Sequence, residues 1–172
     1  MWQLAYSYNF SESIEPALDN SDNITQKVNR VMYEFILESE KHGTQVIATE
    51  FDSFSEDVKA LGLPESNVDV EVQNMFVRTH NGVLQDPGQG HLLLSKYDYS
   101  PFLSAKPELG TVGAYGCMQL WSGEDVLWAI NHINHDTPDF GIGNNNTSPF
   151  RDWTFSNNAT DYTKKVLNVY VV

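Results

Sequence analysis

The sequence predicts an all-β domain, an antiparallel and jelly-roll-like β-sandwich that contains one short helix. Aromatic residues make up 12% of the 172 residues, and Asn, Asp, Ser, Gly and Pro recur throughout, a mixture that favours many short strands. Several segments alternate apolar and polar residues, and turn signals separate them at the spacing of a sandwich. The 41% of hydrophobic residues suffice for one core, so residues 1–172 are expected to form a single domain.

The first elements follow from alternation and from turn composition. Residues 2–8 form the first predicted strand, and the polar stretch 11–25 is expected to be a loop. Residues 31–37 place Val, Tyr, Phe and Leu on one parity and polar Glu on the other, which is the period of a half-buried strand. A turn at 41–44 then leads to a returning strand at 45–51, so we expect a hairpin.

Residues 53–63 form the one predicted helix. Ser53 or Ser55 can cap its start, Gly62 is placed to take a left-handed closing conformation, and Pro64 ends it. With only about two turns, this helix is expected to close one end of the sandwich.

A change of parity in the next strand predicts a β-bulge. The valines of residues 68–72 fall on one parity, whereas Met75 and Val77 continue on the other. A bulge near Asn74 would return these apolar side chains to one face.

Glycine and proline mark the connections that follow. Asn81 and Gly82 predict a tight turn, and residues 86–90, which include Pro87, predict a second one. The stretch 96–111 is expected to be a long irregular loop.

The C-terminal third contains three more predicted strands. They cover residues 115–121, 126–131 and 165–172, and the odd-numbered positions 167–171 of the last strand are expected to point inward. The Asn- and Gly-rich segment 136–162 is expected to connect them as an irregular stretch.

Acidic residues dominate the charge of the chain. Asp and Glu number 23 against 10 Lys and Arg, which gives a formal net charge of −13. A phosphate backbone would be repelled at long range, so nucleic acid is excluded as a partner. No stretch reaches the ~20 apolar residues of a membrane span, and the N-terminus lacks a signal-peptide pattern. We therefore expect either a cytosolic protein or a domain of a longer secreted chain.

Common catalytic motifs are missing from the sequence. It contains no Gly-x-Ser-x-Gly, His-Glu-x-x-His or P-loop pattern, so no catalytic residue is assigned. The single cysteine, Cys117, lies in an apolar run and is expected to be an inert core thiol. His132, His135 and Asp136 lie close together, but a structural zinc site needs four ligands, and loop histidines bonded to backbone fit better. A glycosidase with two distant carboxylates stays open as an alternative.

Oxygen-bearing side chains concentrate in the segment 136–161. Calcium takes about six to eight oxygen ligands, so a structural Ca²⁺ in this segment is physically reasonable. The alternative is a set of Asx turns, because no EF-hand spacing is present. The candidate calcium ligands are Asp136, Asp139, Asn144 and Asp152.

The same part of the chain combines aromatic and amide side chains. Carbohydrate-binding surfaces use an exposed ring to stack on a pyranose and polar groups to bond its hydroxyls. Trp121 adjoins a turn and is expected to be exposed, whereas Trp128 lies in an apolar run and should be buried. The predicted carbohydrate-binding residues are Trp121, Tyr115, Asn144, Asn145 and Asp152.

Five sequence runs resemble those of a known kind of domain: YGCMQL at 115–120, WAINH at 128–132, FGIGN at 140–144, DWTFSNNA at 152–159 and LNVYV at 167–171. The chain is similar in these runs to a β-sandwich domain appended to large secreted bacterial proteins, including sialate O-acetylesterase-like and other glycan-processing enzymes. The resemblance covers roughly the last third of the chain in detail, and it implies an extracellular or cell-surface accessory module associated with carbohydrate. It transfers no catalytic residue.

The leading hypothesis is a non-catalytic carbohydrate-binding or carbohydrate-associated module of an extracellular protein, with a glycan or polysaccharide as its partner. One alternative is a structural or adhesive subunit of a surface assembly, which would form oligomers by pairing exposed sheet edges. A second alternative is a glycan hydrolase or esterase with dispersed carboxylates.

Overall fold

The computed structural model describes residues 1–10, 15–41, 43–79, 84–96, 118–122, 125–130, 139–142, 155–158 and 162–172. That part of the chain forms antiparallel strands and two short 3₁₀-helices, at Ser21–Asn23 and Val58–Leu61. None of its helices has the length and apolar character needed to cross a membrane. The strands are β1 (Gln3–Asn9), β2 (Leu18–Asp19), β3 (Arg30–Ser39), β4 (Gly43–Asp52), β5 (Val68–Thr79), β6 (Leu84–Leu94), β7 (Met118–Ser122), β8 (Asp125–Ile130), β9 (Asp139–Ile142), β10 (Phe155–Asn158) and β11 (Lys164–Val171).

The described strands form one antiparallel sheet, which confirms the all-β prediction. Its order is β10-β9-β8-β7-β6-β5-β4-β3-β11-β1-β2, so consecutive strands from β3 to β10 are neighbours. The C-terminal strand β11 is inserted between β3 and β1. This order is a meander, whereas a jelly roll interleaves distant strands through Greek-key connections. The order therefore differs from the jelly-roll-like one that we expected.

The sheet doubles back on itself around one core. Trp128 of β8 packs on Phe35 of β3 with ring centroids 4.7 Å apart, although four strands separate β8 from β3 in the sheet. Trp128 also donates its indole N–H to Thr49 Oγ1 at 3.2 Å. Contacts across the core between such distant strands make the fold sandwich-like, and the expected burial of Trp128 is confirmed because its side chain is fully buried.

Alternation predicted the inward faces of the central strands correctly. In β3 every second side chain is buried, beginning with Val31, and the residues between them are partly exposed. In β11 the residues Leu167, Val169 and Val171 are buried in the same way. The hairpin of β3 and β4 is in continuous register from Arg30↔Asp52 to Ser39↔Gly43.

The predicted bulge at Asn74 is confirmed, and it extends into the neighbouring strand. Asn74 has a φ of 53°, and the register between β5 and β6 shifts on both sides of Met75. The turn predicted at residues 86–90 is wrong, because these residues lie inside β6. Gly88, with a φ of 73°, pairs with Met75 and lets the strand continue through the irregular region.

The helix predicted at residues 53–63 is wrong in kind, because only the 3₁₀-helix Val58–Leu61 forms. Asp57 accepts a hydrogen bond from Lys59 N at 3.0 Å, while Ser53 and Ser55 bond locally to the backbone and start no α-helix. Gly62 closes the turn in an extended conformation, with φ −73° and ψ −166°. The position requires a glycine because there is no room for a side chain: a Cβ on residue 62 would come within 2.9 Å of the Tyr8 hydroxyl oxygen.

Two stretches predicted as loops contain short strands. The N-terminal stretch 11–25 includes β2, which pairs with β1, and the segment 136–162 includes β9 and β10. The predicted turn at 81–82 and nearly all of the predicted loop 96–111 lie outside the described residues.

Candidate functional site

Trp121 was the aromatic residue expected to stack on a ligand, and this expectation is wrong. Its side chain is 2% exposed, and its indole N–H donates to Gln119 Oε1 at 2.9 Å. The physical reason is that residues 118–121 of β7 are all buried, so both faces of this strand are covered, unlike the faces of the half-buried strand β3.

The other predicted carbohydrate ligands and most of the predicted calcium ligands lie outside the described residues. Asp139 begins β9, and its backbone pairs with Asn158 of β10. No group of three or more His, Cys, Asp or Glu side chains that could hold a metal ion occurs within the described ranges. The calcium site thus stays a prediction. The residues outside these ranges are Tyr115, Asn144, Asn145, Asp152 and Asp136.

A groove lies on the outer face of β3, β4 and β5. Its volume is about 290 Å³. Strand β3 has apolar residues at both odd and even positions, so its outward face includes apolar side chains as well as polar ones. The groove is lined by Trp2, Met32, Glu34, Ala48, Glu50, Phe76 and neighbouring residues.

The strand register arranges the outward side chains in rows that run across the sheet. Residues directly opposite each other on neighbouring strands project from the same face. One such row crosses β5, β4, β3, β11 and β1, and we call it the aromatic row because Phe76 and Tyr170 belong to it. Its members in order are Phe76, Glu50, Met32, Tyr170 and Leu4.

A second row lies two residues away along β5, β4, β3 and β11, and three residues away along β1, where the register shifts between Leu4 and Tyr6. We call it the polar row, since four of its five side chains carry hydrogen-bonding groups. Adjacent rows on one face are about 7 Å apart, because a strand advances about 3.4 Å per residue. The members of the polar row in order are Arg78, Ala48, Glu34, Asn168 and Ser7.

Hydrogen bonds fix the middle of the polar row. Ser7 Oγ donates to Asn168 Oδ1 at 2.7 Å, and Asn168 Nδ2 donates to Glu34 Oε1 at 3.1 Å. Burial raises the pKa of Tyr170, and the nearby charge of Glu34 and a hydrogen bond between the two side chains raise it further. The Glu34 carboxylate is thereby held in place by donors from β11.

A second carboxylate, Glu50, is positioned by Arg30. The Arg30 Nε lies 3.5 Å from Glu50 Oε2, and its Nη1 lies 2.9 Å from Asp52 Oδ1. Arg30 Nη2 also donates to the carbonyl oxygen of Asn74 at 2.9 Å, while Asn74 Nδ2 donates to Asp52 Oδ2 at 2.6 Å. The β-bulge at Asn74 therefore contributes to the position of this guanidinium group.

Two aromatic side chains border the groove. Phe76 is 38% exposed, and in the described part of the chain it is one of three large hydrophobic residues that are exposed to this degree. Trp2 lies two residues before Leu4, on the same face by the alternation of a strand, and its side chain lines the groove. The groove is thus lined by two aromatic rings and by the two carboxylates Glu34 and Glu50.

This face differs from the predicted site, which lay in the Asn- and Asp-rich C-terminal segment. A signal was present, since Met32 and Ile36 occupy the outward parity of a strand whose inward parity is already apolar. Exposed apolar residues in contiguous patches mark binding sites more often than single ones do. What the sequence could not provide was the register that aligns Phe76 with Glu50 and Met32.

A comparison of the chain with protein-family models, with curated proteins and with solved structures finds no match. The groove and the two rows of side chains are therefore the features that bear on function.

Proposed function

We propose that this chain is a non-catalytic carbohydrate-binding module of an extracellular protein and that it binds glycan in the groove on the outer face. The observation that carries the proposal is the groove itself, which places Trp2 and Phe76 around the carboxylates Glu34 and Glu50. An aromatic ring stacks on the apolar face of a pyranose, while fixed acceptors bond its hydroxyls.

Pre-organisation of the polar groups supports the proposal. Glu34 is already bonded to Asn168, and Glu50 is already paired with Arg30. Side chains that are ordered before the ligand arrives lose less conformational entropy on binding. A weakly interacting ligand such as a sugar benefits from this, because few of its contacts are strong individually.

The extracellular assignment is part of the proposal, and it is supported by sequence alone. The C-terminal runs resemble an accessory domain of secreted glycan-processing proteins, and a net charge of −13 favours solubility. A module of this kind would keep a parent enzyme close to its polymeric substrate.

Alanine substitution of the two border aromatics tests the proposal. Binding to a glycan array and calorimetry on the best ligand should show a loss of at least about tenfold in affinity for Phe76→Ala and for Trp2→Ala, since truncated aromatic anchors commonly cost this much. Leu18→Ala is the matched control, because Leu18 is 41% exposed and, although it pairs with Ser7, it does not line the groove. Retained affinity in both groove variants, or no glycan bound by the parent chain, would contradict the proposal.

The two alternatives predict different results. A structural or adhesive subunit would pair through a sheet edge, but the edge strand β2 has only two residues. Sedimentation that shows concentration-dependent oligomers without glycan binding would favour that alternative. A hydrolase would use Glu34 and Glu50, which lie on adjacent strands in neighbouring rows. Release of sugar or acetate that is lost in Glu34→Gln would favour an enzyme over a binding module.

A further inference from the structure

We infer that Met32 is a peroxide-sensitive site of the groove and that oxidation of its thioether to the sulfoxide weakens the binding of glycan there. The effect on binding rests on the proposed function, whereas the oxidation itself does not. The groove would thereby be under reversible redox control, because sulfoxide reductases return methionine sulfoxide to methionine.

The position of Met32 distinguishes it from the other three methionines of the chain. Met75 and Met118 are 0% and 1% exposed and belong to the hydrophobic core. Met1 is fully exposed, but it precedes the first strand and is not among the residues that line the groove. Met32 is partly exposed on the outward parity of β3 and lines the groove. Because an oxidant has to reach the sulfur atom, Met32 is the methionine of the folded sheet that a peroxide can attack.

The oxidation transfers one oxygen atom from the peroxide to the sulfur. A lone pair of Met32 Sδ attacks one oxygen of hydrogen peroxide, so an S–O bond forms while the O–O bond breaks. The departing hydroxide takes the proton of the transferred oxygen and leaves as water. The sulfur loses two electrons, and the peroxide is reduced by the same two.

The sulfoxide changes the chemistry of the groove wall. Met32 lies directly opposite Glu50 on β4 and Tyr170 on β11. The thioether is an apolar contact, whereas the sulfoxide is polar and its oxygen accepts hydrogen bonds from water. The Glu50 carboxylate is also an acceptor, and it pairs with Arg30, so it has no proton to donate to the new oxygen. A sugar ring that packs at this position therefore has to remove water from one more polar group.

The core should be insulated from this change. Val31 and Tyr33, the neighbours of Met32 in the strand, point inward and are 0% exposed, whereas Met32 points outward. An oxygen atom added on the outward side stays in contact with water and leaves the packed interior closed. The expected signature is therefore a loss of binding without unfolding.

Peptide mass spectrometry after peroxide treatment tests the site without any ligand. The folded chain is treated with hydrogen peroxide, and the sulfoxide fraction at each methionine is followed over time. Met32 should oxidise at least about tenfold faster than Met75 and Met118, because burial excludes the oxidant from those two. In concentrated urea the three should react at similar rates. Equal rates for the three in the folded chain would overturn the inference.

Calorimetry with the best glycan of the array tests the effect on the groove. The oxidised parent should bind at least about fivefold more weakly than the untreated parent, and methionine sulfoxide reductase should restore the affinity. The urea midpoint of the oxidised parent should match that of the untreated parent. A large drop in this midpoint would place the effect in the fold and overturn the inference.

Met32→Leu is the matched variant, because leucine is close to methionine in volume and has no sulfur. It is compared only with itself, before and after peroxide, and its affinity should change less than about twofold on treatment. This variant retains Met1, so it also measures any effect of oxidation at that residue. Equal losses of affinity in the parent and in Met32→Leu would contradict the role of Met32.

The failures of the two proposals are distinguishable. If no glycan is bound, or if binding is unaffected by Trp2→Ala and by Phe76→Ala, the proposed function fails and the effect on binding falls with it. Mass spectrometry still decides in that case whether Met32 is the oxidised residue of the groove. If binding depends on Trp2 and Phe76 but survives complete oxidation of Met32, the proposed function stands and the inference is overturned.

Discussion

Trp128 and Tyr33 are fully buried, and each carries a polar atom that needs a partner inside the core. Trp128 donates its indole N–H to Thr49 Oγ1, and Thr49 in turn donates to the Tyr33 carbonyl oxygen at 3.3 Å. The Tyr33 hydroxyl donates to the carbonyl oxygen of Leu61 at 2.6 Å. These bonds join β8, β4, β3 and the 3₁₀-helix Val58–Leu61, so a few side chains determine how the doubled sheet closes.

Tyrosine hydroxyls also make the protein sensitive to alkali. Burial raises the pKa of Tyr8 and of Tyr33 well above the ordinary value of 10.0, and it raises the pKa of Tyr6 to a smaller extent. The folded state therefore holds these phenolic protons at a pH where the unfolded chain releases them. The stabilisation is fully present below pH 10 and decreases as the pH rises above it.

We expect the urea midpoint to be nearly constant from about pH 8 to pH 9.5 and to fall progressively above about pH 10. Tyr33→Phe should make this alkaline fall shallower, because one buried phenol no longer ionises on unfolding. The same variant should lose about 1 kcal/mol at neutral pH through its missing hydrogen bond to Leu61. An alkaline fall equal to that of the parent would show that Tyr33 does not contribute to it.

At the scale of the elements, glycines decide where strands can approach each other. A Cβ on Gly90 in β6 would lie 2.6 Å from the carbonyl oxygen of Trp121 in β7. That oxygen belongs to the backbone of a paired strand, so it cannot move without disturbing the ladder. Gly43 is the opposite case, since a Cβ there would meet no atom within 4 Å and only its φ of 70° favours glycine.

We therefore expect Gly90→Ala to lower the free energy of unfolding by about 3 kcal/mol, because the added methyl group overpacks the β6–β7 contact. Gly43→Ala should lower it by about 1 kcal/mol, which is the cost of a left-handed conformation for a non-glycine residue. Urea unfolding of both variants measures the difference. Equal losses would contradict the steric role of Gly90.

At the scale of the whole molecule, the doubled sheet has the core on one face and the groove on the other. Its inner face holds the core, including Phe35 and Trp128, whereas the outer face of the same strands holds the groove. The rows on that face follow from the antiparallel pairing of five neighbouring strands, whose register shifts once, between Leu4 and Tyr6 of β1. Substitutions of outward groove residues are consequently expected to change binding more than folding.

The predicted calcium site is also tested on the whole molecule. An ion that binds only the native state stabilises it by about 2.7 kcal/mol at 100 times its Kd. Thermal unfolding should then have a lower midpoint in a chelator such as EGTA than in excess calcium, and Asp152→Asn should reduce the difference. Asp86→Asn is a control, since Asp86 is exposed and lies outside the segment 136–161. The same midpoint with and without calcium would favour the Asx-turn alternative.

The candidate site was less predictable than the strands that support it. Each of Glu34, Glu50 and Phe76 looked like an ordinary residue of a half-buried strand when its own segment was considered. Their significance comes from the pairs Phe76↔Glu50 and Glu34↔Ala48, which depend on strand order and register. The Asn- and Asp-rich segment attracted attention because its composition is conspicuous along the chain, whereas the groove is assembled from distant segments.

The amino-acid sequence by itself determined the central strands, the inward face of β3 and β11, and the bulge at Asn74. A period of two and a shift of parity are local properties, so they can be read without knowing which strands pair. Only the tertiary structure decided that Trp121 is buried and that Trp2 and Phe76 share one groove. Whether a side chain is buried, and which side chains share a face, depends on which distant strands become neighbours. That pairing is determined by side-chain packing across the whole sheet and not by the local sequence of one strand.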